Sequence, residues 1–199
     1  MCIRDRYPFL SWMSKLGLST EGGAEGVTVI RQGFNVDPLI QKQADCISTM
    51  SYNEYWQVLD AGIPADELTV FKYQDQGVAT LEDGLYATEE TLADPEMVDA
   101  LARFVKATMR GWAYAAENPD EAAQIVLDND MTGAQTEAHQ KRMVGEVIKL
   151  VGDSDGTLDV AAAENTVAVL LGGGSDPVIT KAPEGAWTSA VTDKMKTMP

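Results

Sequence analysis

Cysteine and histidine are nearly absent from this chain of 199 residues, which carries Cys2, Cys46 and the single histidine His139. Two cysteines so placed give neither a disulfide framework nor a zinc-ligand spacing. Any Ser/His/Asp set would have to use His139, which lies one turn before Met143 on a predicted helix and reads as a surface or half-buried helix residue. Basic residues are scarce: 15 Lys and Arg stand against 31 Asp and Glu, a net charge of −16. That balance excludes nucleic acid and anionic membranes as partners. There is no run of 18 apolar residues, so no transmembrane helix is expected. Residues 7–17 do not form a signal peptide, because the apolar run is broken and no A-x-A site follows. No internal repeat or low-complexity tract is present.

Two apparent ligand motifs fail on inspection. Asp153, Asp155, Thr157, Asp159 and Glu164 fall at calcium-loop positions 1, 3, 5, 7 and 12. Leu158 stands where that loop needs glycine, and Asp159 is better placed as a helix cap, so no metal is expected. Gly172-Gly173-Gly174-Ser175 has no lysine after it, so it is not a phosphate-binding loop. No cofactor is expected.

What is present is 45% apolar composition, enough for one large domain or two small lobes. The chain is organised around residues 44–59, ADCISTMSYNEYWQVL. Residues 44–49 read as a buried strand, with Cys46 as a small hydrophobe. Ser51 or Asn53 then caps a helix whose apolar face is Tyr55, Trp56, Val58 and Leu59. The turn between them holds Thr49, Ser51, Tyr52 and Asn53, which either only cap the helix or hold a small polar or aromatic molecule.

Before this stretch, residues 7–16 predict an amphipathic helix with Phe9, Trp12, Met13 and Leu16 at i, i+3, i+4 and i+7, stopped by Gly17. Residues 21–26 are a Gly-rich turn, 27–31 (VTVIR) a strand, 32–35 a loop, and Asp37-Pro38 opens a short helix through Gln43. After it, residues 68–73 (LTVFKY) read as a third strand and 85–87 as a short one. This alternation predicts an α/β class with a parallel sheet. The remainder predicts helices: one from Pro95 to Ala115 or Ala116, capped by Asp94, with Met97, Leu101, Phe104, Val105, Thr108 and Trp112 inward; one from Pro119 to Leu127 after Asn118; one over 134–151 capped by Thr132; one after Asp159 to Leu171, ended by Gly172, Gly173 and Gly174; and a last piece around Trp187, Val191 and Met195.

Residues 1–6, MCIRDR, resemble a translated sequencing adapter or a short disordered tail and are set apart from the fold. The runs YPFLSWMSKLGL and ADCISTMSYNEYWQVL, with the segment over 94–122 that contains DP-x-x-V, G-W-x-Y-A and N-P-D-E-A, resemble ABC-transporter solute-binding proteins. Within these they resemble the group related to thiamine-pyrimidine synthase and to the nitrate, sulfonate and riboflavin binders. The resemblance implies a type II periplasmic-binding fold, N-terminally truncated. Residues 7–80 would be a near-complete α/β lobe two, 81–87 a hinge strand, and 88–199 the helical C-terminal part of lobe one.

The function so implied is the substrate-binding component of an ABC importer, capturing a flat heterocycle such as a thiamine pyrimidine precursor or riboflavin and passing it to a permease. A nitrate, sulfonate or taurine receptor is the alternative. The expected product is a periplasmic or extracellular monomer with no enzymatic activity, since the pyrimidine synthase of the superfamily needs a cysteine-rich iron segment and an active-site histidine that Cys46 and His139 do not supply. The resemblance makes Tyr7, Phe34, Ser51, Tyr52, Asn53, Tyr73 and Asp75 the ligand candidates. Glu54 can accept from a ring amine and fits equally well the first turn of a helix. Glu82 and Asp83 are placed at the hinge mouth. Because cleft binders bury most of a ligand between two lobes, the chain by itself is expected to bind weakly or not at all.

Overall fold

Helix signals in the chain are strong and local, and the computed structural model realises them. It describes residues 6–24, 26–172 and 177–199. In chain order its α-helices are α1 (Arg6–Lys15), α2 (Asp37–Ile40), α3 (Glu54–Asp60), α4 (Glu89–Ala93), α5 (Pro95–Glu117), α6 (Pro119–Asp128), α7 (Glu137–Val151), α8 (Val160–Leu171) and α9 (Ala190–Lys196), with a 3-10 turn over Ala65–Glu67 between α3 and α4. None among the described residues is long and apolar enough to cross a membrane.

Helices α4, α5, α7 and α8 start behind a side-chain cap. Asp94 accepts the Glu96 N–H at 2.9 Å and Pro95 opens α5, where a missing N–H costs nothing. Asp159 accepts the Ala162 N–H at 3.1 Å to start α8. Arg6, set apart with the terminal residues, is the first residue of α1, while the rest of that stretch and the glycines at 173 and 174 lie outside the described residues. Helix α7 starts later than expected because Thr136, not Thr132, caps it through the His139 N–H at 3.3 Å. Thr132 is held instead by Asp130, which accepts from both its N–H and its hydroxyl. Helix α4 has no apolar period to betray it. It forms behind Thr88, whose hydroxyl accepts the Thr91 N–H at 3.1 Å.

The α/β expectation, and with it the type II periplasmic-binding architecture, is overturned. Among the described residues there is no sheet, only two isolated bridges, Ser19 with Gly26 and Glu21 with Thr28. Residues 44–49, 68–73 and 85–87 carry no strand, and 27–31 contributes only the Thr28 bridge. A β-branched run shows that its side chains suit a pleated surface; it becomes a strand only when neighbouring backbone satisfies its N–H and C=O groups. Here side chains and turns take several of those groups, and Val29, Ile30, Val70 and Phe71 stay exposed. Cys46, expected to be buried in a strand, is an exposed free thiol.

The chain divides into two units. Unit 1 comprises Met1–Met50, Glu54–Gly84 and Asp159–Ala186. Its core is Met13, Val36, Val58, Val78, Ala163 and Val169. Helices α1 and α8 pack together, and α8 also anchors the run after Val78: Asn165 donates to the Ala79 carbonyl at 2.7 Å and Thr166 accepts the Leu81 N–H at 2.8 Å.

Unit 2 comprises Ser51–Asn53, Leu85–Leu158 and Trp187–Pro199. Helix α5 packs on α9 and α6 on α7, around Ala102, Ala123 and Met195. Ion pairs tie the elements, Lys194 to Asp99 at 3.4 Å and Lys141 to Asp120 at 3.2 Å. The face of α5 used in packing carries Asp99, Ala102 and Lys106, the last donating to the Met198 carbonyl at 3.0 Å. Met97, Phe104 and Trp112, read as inward, are exposed.

Candidate functional site

The run over residues 44–50 frames the candidate site of unit 1. It lies outside any helix and has no strand neighbour, so its polar backbone must be satisfied otherwise. Gln32 does this with one side chain. Its Oε1 accepts the Ser48 N–H at 3.0 Å, and its Nε2 donates to the Ser48 carbonyl at 2.8 Å and to the Asn35 carbonyl at 3.3 Å. Gln32 is only 8% exposed. A buried amide in this position must find partners, and losing one costs more than the bond itself contributes.

Ser48 is thereby placed with its hydroxyl 3.2 Å from the Tyr73 hydroxyl. The Tyr73 ring lies edge-on to Trp12, with centroids 6.5 Å apart and planes at 72°. Trp12 also meets Phe71 at 5.2 Å and Phe9 at 6.5 Å. Edge-to-face and tilted pairs at these separations are the favourable arrangements of aromatic quadrupoles. The result is a cluster of rings next to a row of hydroxyl and amide groups.

Two residues further along the run, the Met50 N–H is accepted by the Glu54 carboxylate at 2.9 Å, while the Met50 carbonyl accepts the Tyr55 N–H at 3.3 Å. Glu54, at 6% exposure, is the most buried acidic side chain described. Its reach back over the start of α3 resembles a capping box, in which a first-turn carboxylate satisfies an upstream N–H.

Of the residues singled out by sequence, Tyr73 and Glu54 thus meet the same run, through Ser48 and Met50. Phe34, 76% exposed, and Asp75 stand in exposed loops of unit 1. Tyr7 lines an open cleft of about 230 Å³ together with Thr80, Leu81, Glu82 and Leu170; neither Tyr73 nor Glu54 lines it. That volume is below the usual range for drug-sized ligands, roughly 300–1,000 Å³. Ser51, Tyr52 and Asn53 belong to unit 2, where Asn53 Oδ1 lies 2.8 Å from His139 Nε2. An oxygen acceptor there requires Nε2 to carry the hydrogen.

Gln32, Ser48 and Trp12 were not legible as site residues. Gln32 reads as loop, Ser48 as part of a buried strand, Trp12 as helix core. The available signal was a polar residue closing a β-branched run, which if buried needs a partner; which partner is a tertiary matter.

Among the described residues no group of three or more His, Cys, Asp or Glu is placed to hold a metal ion. Asp155, from the acidic loop, is already engaged. The Thr157 hydroxyl and N–H, then Lys196, hold its carboxyl at about 2. Asp130 is held at about 2 as well, first by the Thr132 hydroxyl and then by N–H groups of Gln135 and Thr132. Cys46 is pushed up instead, by partial desolvation first and the neighbouring Asp45 second, so it is a poor thiolate nucleophile.

Residues 10–122 match the profile of the family described as "NMT1/THI5 like", more than half of the chain. Over 109 residues, 54% of the chain, the sequence is 27% identical to the formylaminopyrimidine-binding protein of Halalkalibacterium halodurans. The aligned part is 32% of that protein, so the match spans about a third of the length of the curated relative. No solved structure matches the chain. The family match contains Trp12, Gln32, Ser48, Glu54 and Tyr73.

Proposed function

The chain belongs to the NMT1/THI5-like family, and from that premise we propose that it is the ligand-binding component of an ABC importer that captures a pyrimidine precursor and delivers it, unchanged, to a permease. The observation that carries this reading is the alignment of a polar row, Gln32, Ser48 and Tyr73, with the Trp12 ring cluster inside the family-matched region. A flat heterocycle can stack on Trp12 or Tyr73 while the Ser48 and Tyr73 hydroxyls read its edge. The buried carboxylate of Glu54, at the start of α3 and bonded to Met50 of the same run, favours a ligand that offers N–H donors over an anion. The relative's printed name, a formylaminopyrimidine binder, points to the same ligand class. Tyr73 and Glu54 are the contacts proposed here. The setting is extracytoplasmic and the chain acts as a monomer.

The test is a thermal-shift and calorimetric titration of the chain with formylaminopyrimidine, hydroxymethylpyrimidine, thiamine, riboflavin, nitrate and taurine. Stabilisation depends on the ratio of ligand to Kd, so even a weak site yields about 1.4 kcal/mol at ten times Kd. A shift with one pyrimidine and none with nitrate or taurine is expected. Stabilisation by an anion alone, or by nothing up to the solubility limit, overturns the reading.

A further inference from the structure

We propose that Gln32 is the positioning residue of this site: by gripping both backbone groups of Ser48 it sets the Ser48 hydroxyl against Tyr73, and so fixes the angle at which the Tyr73 ring stands to Trp12. The inference rests on the binding function proposed above and goes beyond it in assigning a role to a residue that no ligand need touch. The chain of contacts is continuous. Gln32 holds Ser48 at 3.0 and 2.8 Å, Ser48 meets the Tyr73 hydroxyl at 3.2 Å, and Tyr73 stands at 72° to Trp12. The third bond of Gln32, to the Asn35 carbonyl at 3.3 Å, ties the amide to the loop leading into α2, so the grip is held from behind.

The geometry makes the amide specific. One oxygen must face an N–H and one NH2 must face carbonyls, which only glutamine at this length provides. Glutamate would set a carboxylate against two carbonyl oxygens. Leucine would keep the volume and lose all three bonds. Without the grip, Ser48 loses its own backbone partners, and the run over 44–50, held at Met50 by Glu54, has no strand neighbour to fix its register at Ser48.

The experiment compares the full chain with Gln32→Leu, Ser48→Ala, Tyr73→Phe and the Gln32→Leu/Tyr73→Phe double variant. Each is titrated with formylaminopyrimidine, and the Trp12 indole N–H resonance is followed by NMR, assigned by Trp12→Phe. The Trp187 indole in unit 2 serves as the control for global change. Gln32→Leu is expected to weaken binding about tenfold, the scale of a coupling inside one hydrogen-bond network. Because Tyr73→Phe keeps the ring but cuts its link to Ser48, adding Gln32→Leu to it should weaken binding no further. Gln32→Leu and Ser48→Ala should both move the Trp12 resonance and leave that of Trp187 in place. Unchanged affinity in Gln32→Leu, or losses that multiply in the double variant, would overturn the role. If the unsubstituted chain binds nothing, the function proposed above fails. Gln32 is then judged on the Trp12 resonance alone: moved in both variants upholds the positioning, unmoved in Gln32→Leu sinks it. Ser48→Ala, which leaves the backbone grip intact, keeps the question decidable if Gln32→Leu does not fold.

Discussion

One side chain, Gln32, makes two hydrogen bonds to one backbone residue, Ser48, its Oε1 to the N–H at 3.0 Å and its Nε2 to the carbonyl at 2.8 Å. An antiparallel strand neighbour would offer the same pair of partners to such a residue. The amide therefore does locally what a sheet would do along a whole run.

The same amide contributes to stability. Gln32→Leu leaves the Ser48 N–H and carbonyl without their partner in a part-buried place. Unfolding in urea should show a loss of about 2 kcal/mol, the order of an unsatisfied buried polar group. A change within about 0.5 kcal/mol, ordinary for surface substitutions, would mean that water replaces the amide freely.

The α5 start offers a cleaner helix test. Asp94 accepts the Glu96 N–H ahead of Pro95, so Asp94→Ala should cost about 1 kcal/mol. Asp94→Asn keeps an acceptor oxygen and should recover most of it. Equal losses in the two variants would assign the effect to charge at the helix N-terminus, not to the cap bond.

Acid should act on unit 2 through two carboxylates. Asp130 and Asp155 both sit at about 2 in the folded chain against an ordinary 3.8. A depressed folded pKa stabilises the fold above the unfolded value, and that contribution is lost as pH falls through the folded one. Urea midpoints should therefore decline between about pH 4 and pH 2, and Asp130→Asn with Asp155→Asn should flatten that decline. Because both groups are exposed and solvent screens them, the effect is a change of slope and not a collapse.

Cys46 should react sluggishly despite its exposure. Desolvation and Asp45 keep its pKa raised, and only the thiolate attacks a disulfide reagent. In a Cys2→Ser background, the rate with a chromogenic disulfide at pH 8 should be below that of a free thiol peptide. Asp45→Asn should raise it, though not fully, since desolvation is the larger cause. A rate equal to the peptide's would show the thiol to be fully solvated.

What the sequence determined by itself is whatever depends on a few adjacent residues. Asp94-Pro95 and Asp159 start their helices where the cap and the first turn dictate, and Gly17, at φ +71°, stops α1 because only glycine takes that backbone cheaply. Family membership was legible for the same reason, through local runs such as those over 44–59 and 94–122. Tertiary structure alone decided the rest. The runs VTVIR and LTVFKY have the composition of strands, yet a strand is a relation between segments, and among the described residues no neighbour supplies the ladder. Helix α5 has an apolar stripe, but Ala102 rather than Phe104 is buried, because α9 meets the face that carries Asp99 and Lys106. The candidate site follows the same division. Tyr73 and Glu54 could be named as candidates from their positions in the chain, whereas Gln32 joined the candidate site only when folding placed its amide beside a serine 16 residues away.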